Sequence, residues 1–483
     1  MAQAMRITPT LQQSNESPFL RRFGFALAHG DVFTKLSFFI WGLGYIGHGQ
    51  LIKALLVTFV QGLGLYYLAT AGIANLMKFG TLGTVKMEMV FNPVTLRNEV
   101  NQYDNSFAIL LLSVIALVII AALLAGSAGV VLSNFQLQQI RAAGKKTNTF
   151  AQDLQSYVNE KFYITLLTLP VLGVVVFTIV PLFILIAVAF TNYDHQHMPP
   201  NELFQWVGLA NFFALFGGGQ SLSLTFGYAF GKILVWTLVW AFFATITTFF
   251  GGVLLAMLIN DKRTRFPRLW RTLFMVTIAV PQFVTLLLVR NFFSDNGIFN
   301  TMMANIGVTD LLHNLGLLSP NLDHIPFLTQ AGLAKVMIIL INIWVGVPYQ
   351  MLIATGVLMN IPSDMLEASR IDGATGWQQF VHIKLPYLLS VQGPALVTDF
   401  VRNINNFNVI YLLTQDVFVT TDQAMASSSA KEVDLLVTWL FRLTQEQYNY
   451  KMAAVIGIIV FLVCSLFTIV CFRFINRKEA TFS

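Results

Sequence analysis

The sequence predicts an all-α membrane protein with about eight transmembrane helices. Three observations carry that expectation. Of the 483 residues, 56% are hydrophobic and only 11% are charged, about half the charge of an ordinary soluble domain. Eight runs are apolar over roughly the 20 residues that a bilayer crossing needs, near 51–74, 106–131, 163–191, 233–260, 273–292, 335–359, 387–414 and 452–473. The basic residues are also sorted by side. With the N-terminus inside, 18 of the 29 Lys and Arg fall in loops on its side and 6 on the other, the rest lying within or at the ends of runs. That asymmetry places the basic loops and both termini in the cytoplasm.

The elements follow in order. Residues 1–50 form a cytoplasmic or interfacial N-terminal segment, in which "SFFIWGLGYIGHGQ" (37–50) is apolar but broken by glycines. It suits an interfacial or re-entrant piece better than a crossing. No apolar stretch followed by a small-residue cleavage site opens the chain, so no signal peptide is expected. Two N-terminal crossings occupy 51–131, the first of them carrying Lys53. A six-helix core spans 163–475, and the cluster "DKRTRFPRLWR" (261–271) within it serves as a topology anchor, not as a nucleic-acid patch. The stretch 292–334 lacks Lys and Arg and reads as an outside loop with short surface helices. Cys464 and Cys471 lie seven residues apart in one apolar run, so they do not pair and serve as packing residues.

The segment 360–386 interrupts the apolar pattern with polar residues. Asp364 and Glu367 are spaced for a capping box after Pro362, Gly373 suits the left-handed turn past a helix end, and Thr375 with Gln378 offers a second box. Trp377, Phe380 and Val381 place an apolar stripe on the second short helix. The expectation is a helix–turn–helix on the cytoplasmic side. Two apolar runs also carry polar stripes. Asn342, Val345, Gly346 and Tyr349 fall at helical spacing in one, with Pro348 able to kink it. Asp399, Arg402, Asn403 and Asn406 fall on a face of the other. Such groups serve either as interhelical hydrogen bonds or as contacts to a transported solute. Asp399 and Arg402, at i and i+3, suit an internal ion pair, a contact to solute, or both.

"EASRIDGA" followed by "IKLP" resembles the EAA motif of ATP-binding-cassette importer permeases, E-A-A-x-x-D-G-A followed by I-x-L-P. Glu367, Ala368, Asp372, Gly373, Ala374, Ile383, Leu385 and Pro386 match, and Ser369 replaces the second alanine. From the third run onward the chain is similar to the larger permease of maltose and maltodextrin importers, the MalF type, through "NIWVGVPYQM", "IPSDMLEASRIDGA", "NNFNVIYLLT" and "DLLVTWLFRLT". About 40 residues (192–232) stand where enterobacterial members have a large insert, as in shorter permeases of Gram-positive bacteria. The resemblance implies a type I importer permease fold in a bacterial cell membrane, with residues 367–374 in a coupling helix that docks on an ATPase. It also implies sugar contacts at Asn342, Val345, Gly346, Tyr349, Asn403 and Asn406. Asp399 and Arg402 depart from the family example, which carries serine and phenylalanine there, and the Gly-Gly-Pro expected after "YLLT" is absent.

The implied partners are a second, MalG-like permease, a MalK-like ATPase pair, an extracellular sugar-binding protein, an oligosaccharide and membrane lipid. No nucleic acid is expected. No phosphate-binding G-x-x-x-x-G-K-[ST] is present, since Gln139 stands where Gly144–Lys145 would need the first glycine. ATP and Mg are therefore expected on the partner, with no cofactor, metal site or catalytic residue in this chain. Maltose or maltodextrin is the expected cargo, with another oligosaccharide such as a galacto-oligosaccharide as the alternative. An ion-driven secondary transporter using Asp399 would call for internal symmetry, which is not evident.

Overall fold

The computed structural model describes residues 19–479 except 217–220, 262 and 320. Arg6, with the rest of the first 18 residues, and Lys262 lie outside the described residues. The chain divides into two compact units, residues 1–207 and 208–483.

The first unit is built on three long apolar helices, α1 (Leu51–Lys78), α2 (Ser106–Ala142) and α3 (Phe162–Val188). The glycine-broken stretch before α1 forms a helix of only seven residues, Trp41–Gly47, too short to cross a bilayer. It is tied into the unit by polar groups. The Trp41 indole donates to Ser127 Oγ at 2.8 Å and Tyr45 OH to Ser133 Oγ at 3.0 Å. Trp41 and Tyr45 pack with Ala54, Val130 and Leu137 in a small core. Lys53, the charge that weakens the first apolar run, is neutralised by an ion pair with Asp153 on the short helix Phe150–Val158. Between α1 and α2 the chain makes a two-stranded hairpin, β1 (Met89–Asn92) and β2 (Arg97–Val100), the one sheet among the described residues of an otherwise helical chain. Asp104 closes this connection, accepting from Lys78 Nζ at 2.6 Å and from the Thr84 N–H at 2.9 Å.

The second unit carries the cavity described below. Its axis is α4 (Thr225–Asn260) packed along α7 (Ala331–Met359). The two approach closely because small residues meet there. A Cβ on Gly346 would stand 2.8 Å from Thr248 Cγ2, and one on Gly251 would stand 2.7 Å from Val347 Cγ2. Gly346 therefore serves helix contact on that side. Between α4 and α7, α5 (Pro267–Ala279) and α6 (Gln282–Phe292) meet at 92°. Pro281 has no N–H to continue a helix and disfavours helical backbone at Val280, whose ψ is 126°. After α7 come α8 (Ser363–Ile371), α9 (Leu385–Ile404), α10 (Phe407–Thr414), α11 (Leu436–Gln445) and α12 (Tyr450–Glu479).

Six described helices are long and apolar enough to cross a membrane, or seven if α5 and α6 count as one broken span. The expected run 387–414 is divided at Asn405 between α9 and α10. Asn406 caps α10 by accepting the Val409 N–H at 3.3 Å, so the asparagines write the break locally. Among the described residues, two apolar cores hold the unit together. Trp236, Trp240, Ile338, Ile341, Val409 and Leu413 belong to one; Phe249, Val253, Met351, Ala354 and Leu388 belong to the other.

Candidate functional site

The helix breaks open a cavity of about 1000 Å³ in the second unit, lined by α4 to α7, α9 and α10. Seven of the eight residues expected on the polar stripes line it: Asn342, Val345, Gly346 and Tyr349 from α7, and Arg402, Asn403 and Asn406 from α9 and the turn after it. Asp399 stands behind the wall.

The lining polar groups are of two kinds. Asn403 is committed to the protein: its amide donates to Thr245 Oγ1 at 3.0 Å and its backbone carbonyl accepts from the Trp240 indole at 3.0 Å. The Asn406 amide reaches Asn403 Oδ1 at 3.5 Å while capping α10. The side chains of Asn342 and Tyr349, by contrast, have no hydrogen-bond partner among the described residues. Tyr349 is exposed, and so is the neighbouring Trp344. Asp399 and Arg402 form the ion pair that their i, i+3 spacing allows, Arg402 Nη2 lying 3.0 Å from Asp399 Oδ1. Among the lining residues that went unread in the sequence are Trp344 and Gln350. Both sit one position off the i, i+3, i+4, i+7 stripe, and Gln350 donates to Asp399 Oδ2 at 2.7 Å.

On the same unit the polar segment 360–386 folds into α8, a tight turn and a second helical stretch. α8 ends where Gly373 takes φ +80°. The Ala374 N–H reaches the Ser369 carbonyl at 2.9 Å and the Gly373 N–H reaches Arg370 at 3.0 Å, the paired bonds that close a helix through a left-handed residue. The Thr375–Gln378 capping box is formed. The Asp364–Glu367 box is not, because Pro362 occupies the cap position and offers no side-chain acceptor. Ser369 does more than replace alanine: its hydroxyl donates to Leu366 O at 2.8 Å and accepts from buried Gln379 Nε2 at 2.9 Å, joining the two halves of the turn.

The second half does not stop before the next span. Gly376–Gln379 continues through one wide turn, Phe380–Lys384, into α9. Pro386 has no N–H to offer the preceding turn, and a widened turn absorbs that loss. Phe380 packs on the apolar core, but Trp377 is 72% exposed. The expected apolar stripe is therefore only partly buried. Glu367, Ala368, Asp372 and Gly373 are all exposed on the outer face.

A multi-helix membrane bundle with a polar cavity at its helix breaks, and a rigid exposed turn continuous with a cavity helix, defines a transport permease. Residues 249–480 match the family model described as binding-protein-dependent transport system inner membrane component. The chain is 30% identical over 443 residues to the maltodextrin transport system permease protein MdxF of Bacillus subtilis (strain 168), covering 89% of this chain and 93% of MdxF. It is 33% identical over 434 residues to the galactooligosaccharides transport system permease protein GanP of the same organism, covering 90% and 94%. In fold it is similar to a solved chain of a bacterial ABC transporter involved in the import of the acidic polysaccharide alginate, with a TM-score of 0.50 and 21% identity over 68% of this chain and 99% of that one. The chain belongs to the family of binding-protein-dependent transport system inner membrane components. It is a multi-pass transport subunit with an ABC importer permease fold, and ATP hydrolysis belongs to a separate subunit of such systems.

Proposed function

We propose that this chain lines half of the translocation pathway of an ATP-driven oligosaccharide importer, with maltose or maltodextrin as cargo. One observation carries the reading: the cavity presents unpartnered polar groups, Asn342 and Tyr349, beside the exposed rings of Tyr349 and Trp344. Sugar hydroxyls take paired hydrogen bonds, and the C–H face of a sugar ring stacks on aromatic groups. Val345, Gly346, Asn403 and Asn406 shape the same wall, and Arg402, held by Asp399, adds charged donors. The name of MdxF favours maltodextrin; the similar identity to GanP favours a galacto-oligosaccharide as the second reading.

The partners follow from the same reading. An extracellular binding protein delivers the sugar, a MalG-like permease supplies the other half of the path, and a MalK-like pair of ATPases binds ATP and Mg. The chain sits in a bacterial plasma membrane with both termini in the cytoplasm, as the distribution of Lys and Arg supports. Each ATPase engages one permease; here the docking surface is Glu367, Ala368, Ser369, Asp372, Gly373 and Ala374. ATPase closure moves α8, the paired bonds at Ser369 and Gly373 carry that motion as a rigid body, and α9 delivers it to the cavity wall.

The test is purification of the tagged chain in mild detergent, followed by ATP hydrolysis with the binding protein and candidate sugars. Co-purification of an ATPase and a second permease, with hydrolysis stimulated by maltodextrin, is the expected result. Recovery of the chain alone with transport intact, or wild-type uptake in the Glu367→Lys, Gly373→Pro double variant, overturns it.

A further inference from the structure

Arg402 is the one charged side chain among the described residues that line the cavity. Its side chain is 62% exposed, whereas that of Asp399, one turn earlier on α9, is 15% exposed and outside the lining. Both carboxylate oxygens of Asp399 are engaged: Oδ1 by Arg402 at 3.0 Å and Oδ2 by Gln350 Nε2 at 2.7 Å. Gln350 is itself buried on α7. The carboxylate is thus clamped between two helices, and it pins the guanidinium from behind.

We propose that Asp399 is a positioning residue for Arg402, and that the Gln350–Asp399–Arg402 chain makes this cavity select uncharged oligosaccharides over acidic ones. The inference rests on the reading of the cavity as the sugar site. A guanidinium is a planar fork of N–H donors. With one edge held by Asp399, its remaining donors face the cavity in a fixed direction, which suits the neutral hydroxyls of a sugar. The pair carries no net charge, so a neutral solute leaves nothing uncompensated. A carboxylate on the solute would reach Arg402 first, but the field of Asp399 behind it cancels most of that attraction and leaves the weak pull of a dipole in place of that of a full cation. That pull does not offset the cost of stripping the carboxylate of its water, and displacing Asp399 would strand it between the helices. Removing the charge of Asp399 reverses the preference, because the wall then carries one unpaired cation.

The experiment is equilibrium binding to the assembled importer in lipid nanodiscs, without the binding protein. It uses a labelled neutral oligosaccharide and one of equal length ending in a uronic acid. The wild type is expected to bind the neutral sugar and discriminate against the acidic one. Asp399→Asn should weaken neutral binding and strengthen acidic binding, moving their ratio by about tenfold or more at low salt, with the shift shrinking as salt is raised. Asp399→Glu should restore the original ratio. Adding Arg402→Gln to Asp399→Asn should abolish the gain in acidic binding. A loss of packing alone would lower both affinities without moving their ratio.

If Asp399→Asn does not assemble, Arg402→Gln alone decides: it should weaken neutral binding several-fold with no gain for the acidic sugar. An unchanged ratio in assembled Asp399→Asn, or unchanged neutral binding in Arg402→Gln, overturns the proposal while leaving the cavity as the sugar site. Wild-type binding indifferent to Asn342→Ala and Tyr349→Ala overturns the sugar site itself, and the proposal with it.

Discussion

The cavity wall and the turn after α8 treat polar residues in opposite ways. In the cavity, Asn342 and Tyr349 are left without partners among the described residues, beside an exposed Trp344. In the turn, Ser369, Thr375, Gln378 and Gln379 satisfy one another within ten residues of chain. Polar groups left unpaired in a cavity wall are open to an arriving solute, which fits the proposed role of the cavity as a receptor. A self-satisfied turn gains nothing from bending, which fits the proposed role of the second region as a lever. α9 belongs to both, entering from the turn and ending in the cavity wall.

The comparison is broken most directly at Gly373, whose φ of +80° is accessible to glycine but strained for a β-branched residue. Gly373→Val should cost about 1–2 kcal/mol of local strain and uncouple the turn, abolishing sugar-stimulated ATP hydrolysis. Gly373→Asn, which tolerates the left-handed region, should retain part of it. Sugar binding to the cavity, measured in the same preparations, should survive in both. Parallel loss of binding would show that the two regions are not separable.

Next in size is the cavity. Tyr349→Ala and Asn342→Ala should each raise the sugar concentration for half-maximal uptake by about tenfold, the worth of one lost hydrogen bond or ring contact. Maximal ATPase rate should change little. A smaller effect is expected for Gln379→Ala, which leaves Ser369 without its cross-turn donor. It should reduce coupled transport several-fold and leave binding unchanged. A fall in affinity with coupling intact would reverse the assignment of roles.

How much of this was legible in the chain depends on the range of each interaction. The stop at Gly373 and the Thr375–Gln378 box are made by residues within a turn or so of one another, so their spacing shows them. The same spacing at Asp364 and Glu367 misled, because Pro362 takes the cap and leaves no acceptor. The polar stripes were legible as periodicity, and seven of the eight residues do reach the cavity. The role of Gln350 was not, since it depends on how α7 is rotated against α9, a relation across 49 positions that periodicity in one helix does not contain. The bend at Pro281 had a local cause, but its 92° angle reflects packing of α5 and α6 on other helices.

The smallest effect sharpens the comparison by supplying a region that belongs to neither role. Asp422 caps the short helix Gln423–Ser427 and is bonded by Lys232 Nζ at 2.9 Å and Tyr228 OH at 2.9 Å. The Lys232 hydrogen bond chiefly, helped by Tyr228, holds its carboxyl down at about 2. A carboxylate depressed in the folded state stabilises at pH values above its unfolded range near 4, and that contribution is lost as pH falls through the folded value. Protection of the amides of residues 423–427, corrected for the intrinsic slowing of exchange as pH falls, should therefore hold from neutral pH to about 4 and drop between there and about 2. Asp422→Asn should flatten that drop while leaving sugar affinity and the behaviour of the Gly373 variants unchanged. A change in either would mean that this outlying cap is coupled to the cavity or the lever, and that the division between receptor and lever is incomplete.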